Sequence, residues 1–358
     1  MLAPGATIGI LGGGQLGRMT ALAAARLGFR THIFATEPDS PGSQVTPLVT
    51  VGRFDDAAAL RRFAETVDVV TYETENIPLD TVATILPIRP VLPGLEVLRV
   101  TQDRLLEKDF IRAIGIPTAP YQAINGVEEL RAALLALEGR AILKSVRMGY
   151  DGKGQVAVDR LSSAEVAWRQ MGGPQGILEG FVEFRCEVSV IVARGLDGSV
   201  AAYPVVENHH AHHILDRTIA PARVEPGVAA AAQAAALGIA QALDVRGLLA
   251  VEMFVTRDQR VLVNELAPRP HNSGHWTMDA CYTDQFEQLV RAITGLPLGS
   301  TDRHSDAEMR NLIGRDVETW QSYLSEPRTK LHLYGKKEAP PGRKMGHVTT
   351  LKPRSSGA

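Results

Sequence analysis

A short apolar run, Ile8-Gly9-Ile10-Leu11, opens directly into a glycine turn, Gly12-Gly13-Gly14-Gln15-Leu16-Gly17. A run that short, with no polar alternation, predicts a buried strand, and the turn must feed the alanine-rich helical stretch that Gly28 stops. Residues 30–34 then read as a second strand and residues 68–72 as another. Strands that alternate with helices predict a parallel sheet, so the first domain is expected to be α/β.

With 358 residues the chain exceeds one ordinary core and should form two or three domains around a shared cleft. A Pro- and Gly-containing stretch at 86–94 closes the first unit. A helix is expected around 95–114, followed by a connection at Gly115-Ile116-Pro117-Thr118. Strand-rich regions come at 141–159 and 186–206, an alanine-rich helix at 227–243, and a hairpin at 249–266. Residues 294–306 read as a linker into a small C-terminal unit. The expected division is 1–94, 95–295 and 296–358, with α/β and α+β character.

Net charge is only −2, which argues against a nucleic-acid protein that works by counterion release. A basic group does gather late in the chain: Arg328, Lys330, Lys336, Lys337, Arg343, Lys344, Lys352 and Arg354. From charge alone it is a solvated face. Cys186 and Cys281 are too few and too far apart for a disulfide framework or a zinc site, which points to the reducing cytoplasm. No apolar run approaches ~20 residues, and no targeting segment is expected.

Four groups of residues carry chemistry. The Gly12–Gly17 turn fits G-x-G-x-x-G, with Glu37 about 20 positions further on, as in a dinucleotide site. The same turn also serves other phosphorylated ligands, or no ligand at all. The strand Ala141-Ile142-Leu143-Lys144-Ser145-Val146 buries one lysine, which is costly unless an anion pairs with it. Gly149-Tyr150-Asp151-Gly152-Lys153-Gly154-Gln155 follows. Backbone N–H groups in such a loop, beside a lysine, can cradle phosphate; the alternative is a surface hairpin. The third group is the hairpin. A two-residue turn at Asp258-Gln259 would place Glu252 directly opposite Glu265, ~5 Å apart between Cβ atoms. Facing carboxylates call for a hard cation such as Mg²⁺, and a three-residue turn would offset them. Fourth, Arg269, His271 and Asn272 can surround a small anion with donors. The run His209, His210, His212 and His213 offers a zinc alternative, although one histidine near a nucleotide fits its loop position better.

Together these residues resemble the ATP-grasp 5-(carboxyamino)imidazole ribonucleotide synthases of purine biosynthesis. The likeness runs from Gly12–Met19 through Gln102-Asp103-Arg104, Lys144, the 149–155 loop and Glu252. It continues into Asn264-Glu265-Leu266-Ala267-Pro268-Arg269, His271–Trp276 and Pro341–His347. It implies an ATP-grasp fold with a Rossmann-like first domain and a small C-terminal domain. The implied reaction joins bicarbonate to 5-aminoimidazole ribonucleotide through carboxyphosphate, with release of ADP and phosphate.

The resemblance also implies roles. Arg104 and Lys144 contact ATP phosphates under the loop Gly149, Tyr150, Asp151, Gly152, Lys153, Gly154 and Gln155. Glu179, Gly180, Phe181 and Val182 line the adenine pocket, Glu187 takes the ribose with His210 nearby, and Asn264 stands beside the metal. Glu252 and Glu265 hold Mg²⁺, with two ions allowed. Arg269, His271 and Asn272 hold bicarbonate and carboxyphosphate. Tyr150 and Asp151 face the aminoimidazole, Asp151 orienting or deprotonating its amine. Gln15 and Glu73 lie on the first-domain side of that substrate, and Lys336, Arg343 and Lys344 bind its phosphate. A cytoplasmic homodimer is implied, with no nucleic acid or membrane partner.

Two stretches depart from the family pattern: Met148 stands where a glycine is usual, and His209-His210-Ala211-His212 replaces Ile-His-Arg-Asp. Rival readings are another ATP-grasp carboxylase or formyl-transfer ligase, an NAD-dependent dehydrogenase, and a non-catalytic nucleotide-binding protein.

Overall fold

The computed structural model describes residues 1–149 and 152–355. Tyr150 and Asp151 therefore lie outside the described residues. The first sheet is parallel, in the order Leu48–Val51, Arg30–Ala35, Thr7–Leu11, Val69–Tyr72. Ile8, Ile10 and Leu11 are buried on both faces, which is why this strand shows no alternation. The helix after the glycine turn runs Gln15–Arg26 and turns back through Gly28 at φ +78°.

The helix expected over 95–114 is two helices, Leu95–Thr101 and Arg104–Ala113. Asp103 makes the break. Its Oδ1 accepts the N–H groups of Leu105 at 3.1 Å and Leu106 at 3.2 Å, capping the second helix. A short carboxylate that competes for backbone N–H groups ends one helix as it starts the next. The consequence is that Arg104 stands in the first turn, facing the cleft.

A four-stranded antiparallel sheet follows, in the order Tyr121–Ile124, Gly176–Gly180, Ala141–Ser145, Gln155–Val158. The glycine loop joins its last two strands. The largest sheet begins with Val261–Ala267, Gly247–Thr256 and Phe184–Arg194, then Val206–Ala211 and Ile214–Ala220. It continues without a break into the C-terminal strands Asp306–Ile313, Lys344–Lys352 and Thr329–Leu333. Thr218 pairs with Met309 across that junction, so Lys344 and the hairpin glutamates belong to one sheet. The alanine-rich helix Pro226–Ala242 packs behind it, burying Ala232, Ala236, Ile239 and Ala240. Among the described residues no helix is long and apolar enough to cross a membrane.

Candidate active site

Glu252 pairs with Glu265 in the hairpin register, as the sequence suggests, but by another route. The turn is one residue longer than expected: Thr256 N–H donates to Arg260 O, and Gln259 sits at φ +63°. Val255 therefore faces Val261 and Met253 faces Val263, an offset that alone would separate the two glutamates. A β-bulge between Met253 and Glu252 absorbs the extra residue at Asn264, and beyond it Glu252 meets Glu265. The cost of facing like charges is visible. Burial, and then the neighbouring Glu265 carboxylate, push the Glu252 carboxyl up to about 7. Asn264 Oδ1 is buried with no hydrogen-bond partner beside them. Two carboxylates and an orphaned amide oxygen form an all-oxygen donor set that suits a hard divalent cation.

Lys144 lies on the strand Ala141–Ser145, and its Nζ donates to Glu179 Oε2 at 2.8 Å. The anion that its burial demands is supplied here by the protein. Burial opposes the charge on Glu179, but Lys144 and the wholly buried Lys108 outweigh it and hold that carboxyl below its ordinary range. Arg104 Nη1 meets Glu265 Oε2 at 3.0 Å, and its Nη2 donates to Gly149 O at 3.2 Å. One arginine thus touches both Glu265 and the start of the glycine loop.

Arg269 is clamped by Glu75, with Nη2 to Oε1 at 2.8 Å and a second contact through Nε. Burial works against ionisation of Glu75, yet the guanidinium beside it brings the carboxyl down to about 2. His271 is pushed the other way, to about 3, by burial and then by Arg269. It is therefore neutral. Its Nδ1 accepts from Ser273 N–H at 3.3 Å, which leaves Nε2–H to donate to Glu252 Oε1 at 3.1 Å. Asn272 exchanges amide hydrogen bonds with Asn311, at 2.9 and 2.6 Å, which fixes it to the C-terminal strand.

The glycine turn holds no room for a pyrophosphate, and this corrects the dinucleotide reading. Glu73 sits in the turn, its carboxylate accepting the N–H groups of Gly14 and, at 2.7 Å, Gly17. A Cβ on Gly12 would stand 2.4 Å from Glu73 Cγ, and one on Gly14 would stand 2.7 Å from Oε1. The glycines make space for an internal carboxylate that occupies the helix N-terminus. Glu37, the expected ribose partner, is exposed on the surface.

These elements converge on one cleft of about 830 Å³. Its walls include Gln15, Glu73, Arg104, Lys144, Gly152, Lys153, Gln155, Phe181, Glu187, His210, Glu252, Asn264, Glu265, Arg269, His271, Asn272 and Lys344. Other expected residues stand behind or beside it. Gly149 lines a small adjoining cavity with Arg104 and Glu265. Gly154 O accepts Ser145 N–H at 2.7 Å, and Gly180 N–H donates to Pro120 O at 2.8 Å. Glu179 is buried under Lys144, and Val182 is half-buried. Phe181 carries the Arg140 guanidinium 4.1 Å over its ring. Lys336 donates to Lys344 O at 2.6 Å, and Arg343 is exposed with Nη1 on Glu338 O at 3.3 Å.

The four histidines diverge. His210 Nδ1 pairs with Glu187 at 3.2 Å inside the cleft, whereas His209 Nε2 turns to Glu207 at 2.8 Å. His212 and His213 form a turn at φ +51° and +64°. Phe184 and Phe254, stacked 4.8 Å apart, also line the cleft and escaped the sequence reading. So did Glu75, Glu107, Lys108 and Asn311. Arg104, Glu107, Lys108 and Ile111 share one face of a helix, and charges on the face that carries a buried isoleucine were the available signal.

With this geometry in hand, three family models match along the chain. They are a ribonucleotide synthetase preATP-grasp domain at residues 5–102, an ATP-grasp domain at 109–286, and a phosphoribosylaminoimidazole carboxylase C-terminal domain at 307–357. The N5-carboxyaminoimidazole ribonucleotide synthase of Brucella melitensis is 50% identical over 356 residues, 99% of this chain and 98% of that one. A crystal structure of an N5-carboxyaminoimidazole ribonucleotide synthetase with ADP superposes with TM-score 0.95 at 42% identity, covering 99% of this chain and 94% of that one. The Aspergillus clavatus synthase in complex with ADP and 5-aminoimidazole ribonucleotide matches with TM-score 0.92 at 31% identity, covering 98% and 94%. Sequence and fold agree, and the chain belongs to the N5-carboxyaminoimidazole ribonucleotide synthase family of ATP-grasp ligases.

Proposed function

We propose that this protein carboxylates the amine of 5-aminoimidazole ribonucleotide at the expense of ATP, in purine biosynthesis, with bicarbonate as the carbon source. The observation that carries the reading is the meeting of three charge environments in one cleft. Lys144 and Arg104 offer cations for a polyphosphate, Glu252 and Glu265 offer carboxylates for a metal, and Arg269, His271 and Asn272 offer donors to a small anion.

Bicarbonate is a poor electrophile because the negative charge delocalised over its oxygens shields the carbon. Attack of a bicarbonate oxygen on the γ-phosphorus, with ADP leaving, gives carboxyphosphate, and the acyl carbon becomes reactive. Arg269, held rigid by Glu75, presents a preorganised cation to that anion. His271, being neutral, adds a hydrogen-bonding group without repelling Arg269. Lys144 is held on Glu179 and has only to turn to an entering phosphate. Mg²⁺ bound between Glu252, Glu265 and Asn264, as one ion or two, would neutralise phosphate charge and relieve the facing carboxylates.

The amine then attacks the carboxyl carbon, phosphate leaves, and a proton is lost to a base, for which Asp151 is the candidate. Gln15, Glu73 and Lys344, which line the cleft, would receive the ribonucleotide, and Lys336 and Arg343, which stand beside it, would add phosphate ligands. Phe181, Glu187 and His210 take the adenosine, with Gly180 and Val182 beside them. The loop from Gly149 through Tyr150 and Gly152 to Gln155 covers the phosphates and keeps water from carboxyphosphate. A cytoplasmic homodimer is the expected form.

Phosphate release from ATP, measured with and without aminoimidazole ribonucleotide and bicarbonate, tests this directly. Release should be slow until the ribonucleotide is added, and should then yield the carboxyamino product in equal amount. Release indifferent to the ribonucleotide would overturn the assignment.

A further inference from the structure

Glu107 and Lys108 do not line the cleft, yet both are almost wholly buried. A buried lysine and a buried glutamate next to each other need a reason. Both reach across to one stretch of the edge strand Val261–Ala267. Lys108 Nζ donates to the carbonyl of Asn264 at 2.9 Å and to that of Val263 at 3.3 Å. Glu107 Oε1 accepts the N–H of Leu266 at 2.6 Å. In a regular strand successive carbonyls point to opposite edges. Here two consecutive ones converge on a single ammonium, and the pair brackets the bulge at Asn264.

That bulge decides the metal site. If the register of Met253 with Val263 continued unbroken, Glu252 would face Asn264 and Glu265 would face Val251. A slip of one residue sends a side chain to the opposite face of a sheet. Glu265 would then leave the cleft, and the two carboxylates would no longer share a face.

We infer that Glu107 and Lys108 are positioning residues which hold the Asn264 bulge and so keep Glu252 and Glu265 on one face as a divalent-cation site. This rests on the reading of those glutamates as the metal carboxylates. Neither residue lines the main cleft, and Glu107 borders only the small adjoining cavity. Lys108 supplies the donor that two outward carbonyls require, and Glu107 takes the next free N–H at the edge. The ammonium also lies 3.9 Å from Glu179, the partner of Lys144, so the same side chain borders the phosphate lysine.

The test is Mn²⁺ binding in the presence of ADP, followed by electron paramagnetic resonance, on wild type, Lys108→Met, Glu107→Leu, Glu107→Gln and Glu265→Gln. ADP affinity in EDTA and the circular dichroism spectrum are recorded alongside. Lys108→Met and Glu107→Leu should weaken Mn²⁺ binding about 10- to 100-fold. Glu107→Leu should leave ADP affinity in EDTA unchanged, whereas Lys108→Met, which also removes a cation beside Glu179, should change it by less than it changes Mn²⁺ binding. Glu107→Gln keeps a carbonyl oxygen for the Leu266 N–H and should bind Mn²⁺ like wild type. Folded Lys108→Met or Glu107→Leu protein with wild-type Mn²⁺ affinity, while Glu265→Gln has lost it, overturns the inference alone. Wild-type affinity in Glu265→Gln overturns the metal reading beneath it. If Lys108→Met does not fold, the contrast between Glu107→Leu and Glu107→Gln decides by the same criteria.

Discussion

Glu252 faces Glu265 across a hairpin whose turn, by its length, would have set them apart. Two carboxylates on one half-buried face repel, and the Glu252 carboxyl is pushed up to about 7. A divalent cation removes that repulsion. Glu265→Gln should therefore lower kcat by about a hundredfold or more with the fold intact. Thermal denaturation gives a second measure. MgADP should raise the Tm of wild type well above that of ADP in EDTA, and the difference should vanish in Glu265→Gln.

Lys336 is brought down to about 8, chiefly by burial and then by Arg343. It is cationic below that pH and neutral above it, so its attraction for a phosphate dianion is present at pH 7 and lost by pH 9. KM for aminoimidazole ribonucleotide should rise by up to about tenfold across that interval. Lys336→Met should start with the higher KM and show no such rise. An equally steep profile in the variant would remove Lys336 from the phosphate site.

Gly12 combines φ +105° with a Cβ position 2.4 Å from Glu73. Gly12→Ala should lose about 1–3 kcal/mol of stability by urea unfolding, from backbone strain before any clash. It should also raise KM for the ribonucleotide, because Glu73 must move. NADH fluorescence titration of wild type should show no binding, since Glu73 holds the position a pyrophosphate would need.

The Arg269–Glu75 pair carries a stability term with a definite sign. Glu75 has a folded pKa of about 2 against an ordinary 4.5. The contribution is thus complete above pH 4.5 and is lost as pH falls from there toward 2. Glu75→Gln should be less stable than wild type by about 3 kcal/mol at pH 7, and the gap should narrow below about pH 4.5. Activity should fall as well, since Arg269 loses its anchor.

Much of this protein was legible in order along the chain. Lys144 stood out because a lone lysine in an apolar strand needs an anion. The dense run Arg269, His271, Asn272 stood out because three donor types so close together can surround a small anion, although a loop of satisfied polar side chains could carry them too. Other features misled. Gly12–Gly17 carries the spacing of a dinucleotide turn, and nothing local reveals that Glu73, from a different strand, fills it. Residues 95–114 read as one helix because Asp103 looks like any polar position until its carboxylate caps the second half.

Local preference and period determined the parallel first sheet, its first helix, the alanine-rich helix, the hairpin and the types of residue that do chemistry, because those depend on neighbours a few positions away. Only the tertiary structure decided the hairpin register. There, an extra turn residue and a compensating bulge cancel, and the bulge is held by Glu107 and Lys108 from a helix some 150 residues earlier in the chain. Long-range pairing likewise decided that Glu75 clamps Arg269, that Asn311 fixes Asn272, and that the C-terminal strands join the sheet carrying the glutamates. The physical reason is the same in each case. A buried charge or an edge carbonyl must find a partner, and where that partner lies is set by the packed fold and not by the local sequence.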